Sequence, residues 1–200
     1  VIVGGGATGI EVAGILSEMK KFVLPNDYPD MSSSLMHIYL IEAGPRLLAG
    51  MSEESSAHAE QFLREMGVNI LLNKRVVDYR DHKVVLEDGT EIATRTFIWV
   101  SGVTGVTIGN LDASLIGRGG RIKVDSFNRV EGMNNVFAIG DQCIQLADEN
   151  YPNGHPQLAQ VAIQQGELLA KNLIRMEKGQ EMKPFHYRNL GSMATVGRNR

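Results

Sequence analysis

Cysteine, tryptophan and long hydrophobic runs are scarce in this sequence of 200 residues, and each scarcity excludes a class of protein. A single cysteine, Cys143, cannot build an internal disulfide framework and is compatible with a reducing compartment. No apolar run reaches the length that spans a bilayer, so we expect the chain to be soluble by itself. The net charge of −3 provides no basic footprint, and nucleic acid is therefore not an expected partner.

Metal-ligand patterns are also missing. The five histidines are scattered, and their spacing is not that of a metal site, so we expect no bound metal. Cys143 has no second cysteine to resolve it, which predicts a small buried residue and not a redox group. What the sequence does contain is 43% apolar residues, enough for one core or for one domain and part of another.

The first dozen residues carry the most informative pattern. Residues 1–3 are β-branched and apolar, which predicts a strand buried on both faces. Gly4, Gly6 and Gly9 follow with G-x-G-x-x-G spacing, and a helical apolar pattern comes next. This spacing permits a tight turn, close backbone approach to a pyrophosphate and a helix whose positive end faces it; a ligand-free glycine turn is the alternative. The predicted dinucleotide contacts are Gly4, Gly5, Gly6, Thr8 and Gly9.

An acidic residue at the end of the second strand would complete such a site. Residues 36–42 predict that strand, with Glu42 at its carboxyl end. The interval exceeds the usual value of about 20 residues, because residues 22–35 have the composition of an inserted surface loop. A carboxylate on the ribose would repel a 2′-phosphate, so Glu42 favours NAD(H) over NADP(H). Arg46 lies close enough to complicate this preference; a solvated surface arginine is the alternative.

After Glu42 the sequence alternates between helical and strand periodicity, which predicts an α/β domain. Ser52 is placed to cap a helix, and Asp88-Gly89 is a hairpin signal. The predicted elements are a helix over 53–66, a strand over 68–72, an antiparallel meander over 75–93 and a buried strand over 96–101. This order predicts a Rossmann-like FAD/NAD(P)-binding fold with a β-meander, forming an NAD(H)-binding domain over residues 1–103.

The second half has weaker signals. Residues 103–120 are rich in glycine and predict a connection. Residues 121–125 predict a short strand, residues 135–141 a strand that runs into Gly140-Asp141, and residues 157–176 a helix. An aspartate just beyond a strand can accept hydrogen bonds from ligand hydroxyls, although a turn or helix-cap aspartate is the alternative.

Three stretches resemble the two-dinucleotide-fold flavoprotein reductases, and among them the type II (alternative) NADH:quinone oxidoreductases. They are Val136–Cys143 with its Gly-Asp pair, Gln157–Gly166 with the pattern A-Q-x-A-x-Q, and Phe185–Arg198 with F-x-Y-x-x-x-G-x-M-A-x-I-G-R, where Val196 replaces the isoleucine. The resemblance runs through nearly the whole sequence. It implies an internal fragment, in which residues 104–200 are a connection and a partial FAD-binding domain. The family's N-terminal FAD half and C-terminal membrane helices would then be absent.

The resemblance implies a function in respiratory electron transfer, as a flavin-dependent NADH dehydrogenase that passes hydride from NADH to FAD and on to a quinone. The alternatives are another pyridine nucleotide-dependent reductase, such as a ferredoxin or disulfide reductase, and a non-catalytic nucleotide-binding module. The fragment alone is expected to be inactive. The full-length protein would be cytoplasmic and peripheral on the cytoplasmic membrane face, and a homodimer is one arrangement open to it.

Residue roles follow from the same resemblance. Glu11 matches a glutamate with a suggested role in proton delivery or substrate coupling, and a helix N-terminal glutamate worth about 0.3–1 kcal/mol is the alternative. Gln160 and Gln164 share a helix face at i and i+4 and could bind a quinone carbonyl without burying a charge, unless that face is simply solvated. The implied contacts are Gly102 for NAD, Gly140, Asp141 and Ala159 for FAD, and Gln160, Gln164 and Gln165 for the quinone.

Overall fold

The computed structural model describes residues 1–106 and 108–198, and these form two compact units. The first unit contains Val1–Gly102 together with the stretch that starts at Ser192, and the second contains Val103–Gly191. The sequence analysis assigns the stretch after Ser192 to the second domain, whereas the structure groups it with the first unit. Within the described residues, no helix combines the length and the apolar composition that a bilayer crossing needs.

The first unit is centred on a parallel sheet. Its strands are β1 (Ile2–Val3), β2 (Ile38–Ile41), β3 (Val68–Leu71), β4 (Val76–Arg80), β5 (Lys83–Leu86), β6 (Glu91–Ala93) and β7 (Ile98–Trp99). Four of them pair in parallel in the order β3-β2-β1-β7. Ile2 and Leu40 contribute to the core on one face, and Val3 contributes to the core on the other. The sheet is therefore buried on both faces, as the apolar run at the start of the sequence predicts.

Helices cover one face of this sheet. The helices of the first unit are α1 (Ala7–Glu18), α2 (Leu24–Asp27) and α3 (Glu53–Glu65). Ile10 of α1 and Leu63 of α3 are fully buried in one cluster with the sheet. The Ser52 hydroxyl oxygen accepts a hydrogen bond from the Ser55 N–H at 3.1 Å, so the predicted cap of α3 is confirmed.

The other face of the sheet is covered by an antiparallel meander in the order β4-β5-β6. Val84 and Leu86 of β5 pack in one cluster with Val3 of the central strand. Gly89 has φ +84° and forms the tight turn between β5 and β6. The Rossmann-like fold with a β-meander, expected from the order of elements, is thus confirmed.

Two predictions for the first unit are wrong in part. The sequence predicts a loop over residues 22–35, but a π-helical turn (Met19–Val23) continues α1 into α2. Pro25 stands in the first turn of α2, where its missing N–H costs no hydrogen bond, so the proline does not prevent the helix. The strand expected over residues 96–101 is shorter, and Trp99 is 55% exposed instead of buried.

The stretch over residues 192–198 resembles the opening of a strand in sequence, but the structure has no strand there. Val196 is buried in the core that contains α1. Gly197 lies so close to α1 that a Cβ on Gly14 would come within 2.7 Å of its amide nitrogen. The Arg198 N–H also donates to the Glu18 carboxylate at 2.7 Å, so this stretch lies directly against the first helix.

The second unit contains a parallel pair of short strands and one long helix. These are β8 (Ile122–Val124), β9 (Cys143–Gln145) and α4 (Ala159–Glu177). Ile122, Val130 and Cys143 are buried together in its core. The long helix predicted over residues 157–176 is therefore confirmed, with small shifts at both ends.

The strand predicted over residues 135–141 is wrong. This stretch makes one antiparallel bridge, between Arg129 and Phe137, and then turns as a 3₁₀ helix at Gly140–Gln142. The parallel partner of β8 is β9, which follows the Gly-Asp pair instead of preceding it. An apolar run indicates burial, but it does not say which neighbouring backbone it will pair with.

Candidate functional site

The loop between β1 and α1 brings the fingerprint glycines together at the carboxyl end of the central strand. Gly4 has φ +116°, and its N–H donates to the Ile41 carbonyl at the end of β2 at 2.9 Å. A Cβ on Gly4 would lie 3.0 Å from the backbone of Ser101, and a Cβ on Gly9 would overlap the Gly4 carbonyl oxygen. The chain itself therefore requires glycine at both positions.

Gly6 is different, because the protein does not require glycine there. Its φ of −76° suits any residue, and apart from its own chain neighbours no atom of the described residues lies within 4 Å of the position that a Cβ would take. Gly6 is also the N-cap of α1, where no side chain caps the amides and the first turn has no acidic residue. Thr8 is exposed in that turn. Open space thus lies in front of free N–H groups, as an anionic ligand needs.

Glu42 lies at the mouth of this loop and does not point into bulk water. One carboxylate oxygen accepts the Gly5 N–H at 2.6 Å, and the other accepts the Gly44 N–H at 2.6 Å. A carboxylate offers about four acceptor positions, so two remain for other donors such as sugar hydroxyls. The half-buried carboxylate is thus held in a fixed orientation with acceptor capacity left over.

Arg46 is occupied by the loop that follows β2. Its guanidinium donates to the carbonyl of Ala49 at 2.8 Å and to that of Met51 at 3.0 Å. The side chain is half-buried, and two of its nitrogens donate to the backbone of the protein itself.

Gly102 and Glu11 occupy separate positions in the first unit. Gly102 ends the segment after β7, has φ +79° and is exposed, and a Cβ there would meet none of the described residues other than its chain neighbours within 4 Å. Glu11 is the fifth residue of α1, just beyond the first turn. Glu11 is half-buried, and its carboxylate lies 3.5 Å from the Thr195 N–H.

In the second unit, a buried amide holds the Gly140-Asp141 turn. Gly140 has φ +63°, and its N–H donates to the Gln165 side-chain oxygen at 2.7 Å. Gln165 is only 1% exposed and also contacts the Cys143 sulfur, so it is not available to a quinone in this structure. Burial raises the pKa of the Cys143 thiol, which favours an unreactive thiol. The Asp141 side chain is exposed.

The Gly-Asp turn meets the beginning of α4. The Gln157 side-chain amide donates to the Asp141 carbonyl at 3.2 Å, just before the exposed first helical residue, Ala159. The N-cap of α4 is Leu158, which has no side chain able to cap the helix. An exposed carboxylate therefore lies near free helix-start amides.

Gln160 and Gln164 hold the segment that returns along α4. The Gln160 amide accepts the Leu190 N–H and donates to the Gly191 carbonyl, both at 3.0 Å. The Gln164 amide accepts the Arg188 N–H at 3.0 Å and donates to the Arg188 carbonyl at 2.9 Å. Both glutamines thus already have main-chain partners at each end of their amides.

Two structural residues of this unit were not found from the sequence. Asn172 is buried and pairs with both backbone groups of Lys183 at 2.8 and 2.9 Å, as a third amide of the same kind. Its signal is its position on α4, eight residues beyond Gln164, on the same face of the helix. His155 is also buried, and its ring nitrogen lies 3.0 Å from the Asp148 carboxylate.

These features define the class of protein: an α/β dinucleotide-binding fold, with a glycine loop at a helix start and an acid at the end of the second strand. The chain belongs to the pyridine nucleotide-disulphide oxidoreductase family, whose model matches residues 1–166.

Individual relatives show which members of the family the chain is similar to in sequence. The type II NADH:quinone oxidoreductase NdhA of Mycobacterium tuberculosis is 34% identical over 100% of this chain and 44% of its own length. The type II NADH:quinone oxidoreductase of Haemophilus influenzae is 32% identical over 98% of this chain and 44% of its own length. The resemblance to the type II enzymes is therefore confirmed, and the chain spans less than half the length of these relatives.

A solved structure supports the fold. NDH2 from Plasmodium falciparum, determined in complex with NADH, superposes with a TM-score of 0.83 at 19% identity. The match covers 98% of this chain and 55% of that one. At this identity the likeness establishes the shared fold.

Proposed function

We propose that this chain is the NADH-binding part, and a portion of the FAD-binding part, of a type II NADH:quinone oxidoreductase. Residues 1–103 would be the NAD(H)-binding domain, and residues 104–200 the connection and partial FAD-binding domain. The observation that carries the proposal is the open space at Gly6 beside the fixed carboxylate of Glu42. In the whole protein, FAD would accept hydride from NADH and pass the electrons to a quinone.

The residues of the first unit fit NADH. The diphosphate would lie against the free amides at the start of α1, with Gly5, Gly6, Thr8 and Gly9 around it. The two unused acceptor positions of Glu42 would take ribose hydroxyls, and its charge would repel a 2′-phosphate. Gly102 would lie along the cofactor, and the open space that the described residues leave beside it is compatible with that position. Glu11 keeps a proposed role in proton or substrate coupling.

The residues of the second unit fit part of an FAD site. Asp141 presents an exposed carboxylate next to Gly140, and the uncapped start of α4 at Ala159 lies near the same turn. A carboxylate can accept from ribityl hydroxyls, while free helix-start amides favour negative charge. Gln165 supports this turn from the core and is not proposed as a substrate contact.

For the quinone, Gln160 and Gln164 remain proposed contacts. Each side-chain NH2 group has two N–H donors and gives one of them to the backbone of residues 188–191. The second N–H of each amide could therefore donate to a quinone carbonyl without displacing a backbone partner. Attachment to the cytoplasmic membrane face and a homodimer are predictions that rest on the resemblance alone.

Binding of NADH to the 200-residue chain tests the proposal. Trp99 is the single tryptophan and lies on β7 beside β1, so energy transfer to reduced nicotinamide should quench its emission. We expect saturable quenching, with tighter binding of NADH than of NADPH. Glu42→Arg should weaken the binding of NADH and reduce the preference for NADH over NADPH. It removes an acceptor for the ribose hydroxyls and adds a cation that can pair with the 2′-phosphate.

The control for this substitution is Glu54→Arg in the exposed first turn of α3, which should leave both affinities unchanged. A folded chain that binds neither nucleotide would refute the proposal. Unchanged affinities in the Glu42 variant would show that its carboxylate does not face the ribose.

A further inference from the structure

The Gly5 peptide, in the middle of the glycine loop, is held at both of its polar groups. Its N–H donates to Glu42, and its carbonyl accepts the Leu48 N–H at 2.8 Å. Leu47 is fully buried, and its side chain would lie 2.7 Å from a Cβ on Gly5. Glu42 and the loop after β2 therefore fix the two peptide units on either side of Gly5, and the second of these leads into Gly6.

Leu48 holds this position in an unfavourable backbone conformation. Its φ of +47° lies in the left-handed region, which leucine rarely adopts and which surrounding contacts must enforce. The Leu48 carbonyl accepts the Met51 N–H at 2.8 Å, which closes a tight turn. The Leu48 N–H can reach Gly5 only while that turn is kept.

Arg46 closes the turn from its other side. One guanidinium nitrogen donates to Ala49 at 2.8 Å and the other to Met51 at 3.0 Å, so the planar fork spans the carbonyls that follow Leu48. A planar guanidinium presents several donors in fixed directions, whereas an ammonium is a compact point charge. The geometry of the fork, more than its charge, suits this position.

We propose that Arg46 is a positioning residue of the dinucleotide site. It holds Leu48 in its left-handed conformation, and Leu48 in turn orients the Gly5 peptide at the mouth of the loop. Arg46 makes no contact with the nucleotide and does not bind a 2′-phosphate. This inference rests on the proposed NADH binding, which the unsubstituted chain tests independently.

The test compares Arg46→Ala and Arg46→Lys with the unsubstituted chain, using NADH and NADPH titrations. We expect Arg46→Ala to weaken the binding of NADH and of NADPH by the same factor of about ten, which is the effect of losing a hydrogen bond to a charged group. The ratio of the two affinities should stay constant. Arg46→Lys should not restore binding, because one ammonium cannot reproduce the fork. Arg64→Ala on exposed α3, which loses an ion pair with Glu60, is the matched control.

Hydrogen exchange at the backbone amides reports directly on the loop that contains Leu48. In Arg46→Lys, which keeps the charge and is the variant expected to fold, the Leu48 amide should exchange faster while the amides of β2 stay protected. A larger loss for NADPH than for NADH would overturn the inference, because it would make Arg46 a phosphate contact. Full recovery with lysine, or unchanged NADH affinity in Arg46→Ala, would overturn it as well. Absence of NADH binding by the unsubstituted chain would instead refute the proposed function.

Discussion

Gly6 and Gly9 lie in the same loop and differ in what a methyl group would meet. At Gly9 it would overlap the Gly4 carbonyl oxygen, so this glycine is required by the packing of α1 on the loop. At Gly6 it would contact none of the residues that the structure describes beyond its chain neighbours, and the backbone conformation suits alanine. Folding therefore requires glycine at position 9, whereas only a bound ligand would require it at position 6.

Gly6→Ala should leave the chain folded and remove nucleotide binding. Alanine reduces the conformational freedom of the unfolded chain, which raises the free energy of unfolding by roughly 0.4–1 kcal/mol. Alanine is also a poorer N-cap than glycine, which lowers it, so the net change should be less than about 1 kcal/mol. NADH affinity should fall at least about tenfold if the methyl occupies the diphosphate position. Urea unfolding and NADH titration measure the two quantities.

Gly9→Ala is the matched comparison, and it should lose stability because the helix must move off the loop. Retained NADH binding in a folded Gly6→Ala chain would mean that the open space at Gly6 is not the phosphate site.

At the scale of elements, amide side chains of α4 hold the main chain of residues 183–191, which returns along the helix. Gln160, Gln164 and Asn172 each bind an N–H and a carbonyl of the returning main chain, much as a neighbouring strand would. This segment has no regular secondary structure of its own. Side-chain amides thus replace the hydrogen bonds that a sheet would otherwise supply.

Gln164→Leu should release the returning segment locally. Two hydrogen bonds to Arg188 are lost, at a net contribution of about 0.5–1.5 kcal/mol each. Hydrogen exchange at the Arg188 amide should accelerate, while the Leu190 amide stays protected by Gln160. Glu167→Gln, at an exposed position of the same helix, is the control and should leave both amides unchanged. Equal acceleration at both amides would show that the segment opens as one piece.

A hydrogen bond between His155 and Asp148 makes the stability of the second unit depend on pH. The hydrogen bond from His155 lowers the pKa of Asp148, whose ordinary value is about 3.9. A lowered pKa in the folded state contributes stability above the unfolded value, and this contribution is lost as the pH falls through the folded pKa. The pair therefore stabilises the fold at neutral pH and weakens below about pH 4.

Asp148→Asn should remove that part of the pH dependence. The variant should be less stable than the unsubstituted chain at neutral pH, and the difference should shrink as the pH falls below about 4. Urea midpoints measured across this range give the comparison, with Asp27→Asn at an exposed position as the control. A difference that stays constant with pH would show that the Asp148 carboxylate does not titrate in response to His155.

At the scale of the whole molecule, the first unit could be predicted further than the second. Gly4, Gly6 and Gly9 obey a local spacing rule, since strand, turn and helix follow each other directly in the sequence. The hairpin at Gly89 and the cap at Ser52 are equally local. Their geometry depends little on the rest of the chain, and the structure agrees with the pattern.

The wrong predictions share a cause: the structure of these residues depends on contacts with residues far away in the sequence. Residues 135–141 are apolar like a strand, yet β8 pairs with the later Cys143–Gln145. Gln165 directly follows Gln164 in the sequence, but its side chain is buried in the core. The left-handed backbone of Leu48 has no sequence signal, because leucine adopts it only under pressure from its neighbours.

Placing Val196 against the first helix has a consequence for how the protein is made. β1 is synthesised well before its partner β7, and the residues that cover Gly14 come later still. The nascent first unit must therefore stay incomplete until the whole second unit has been translated. Until then, the side of α1 that Val196 covers in the folded protein has no cover from this segment.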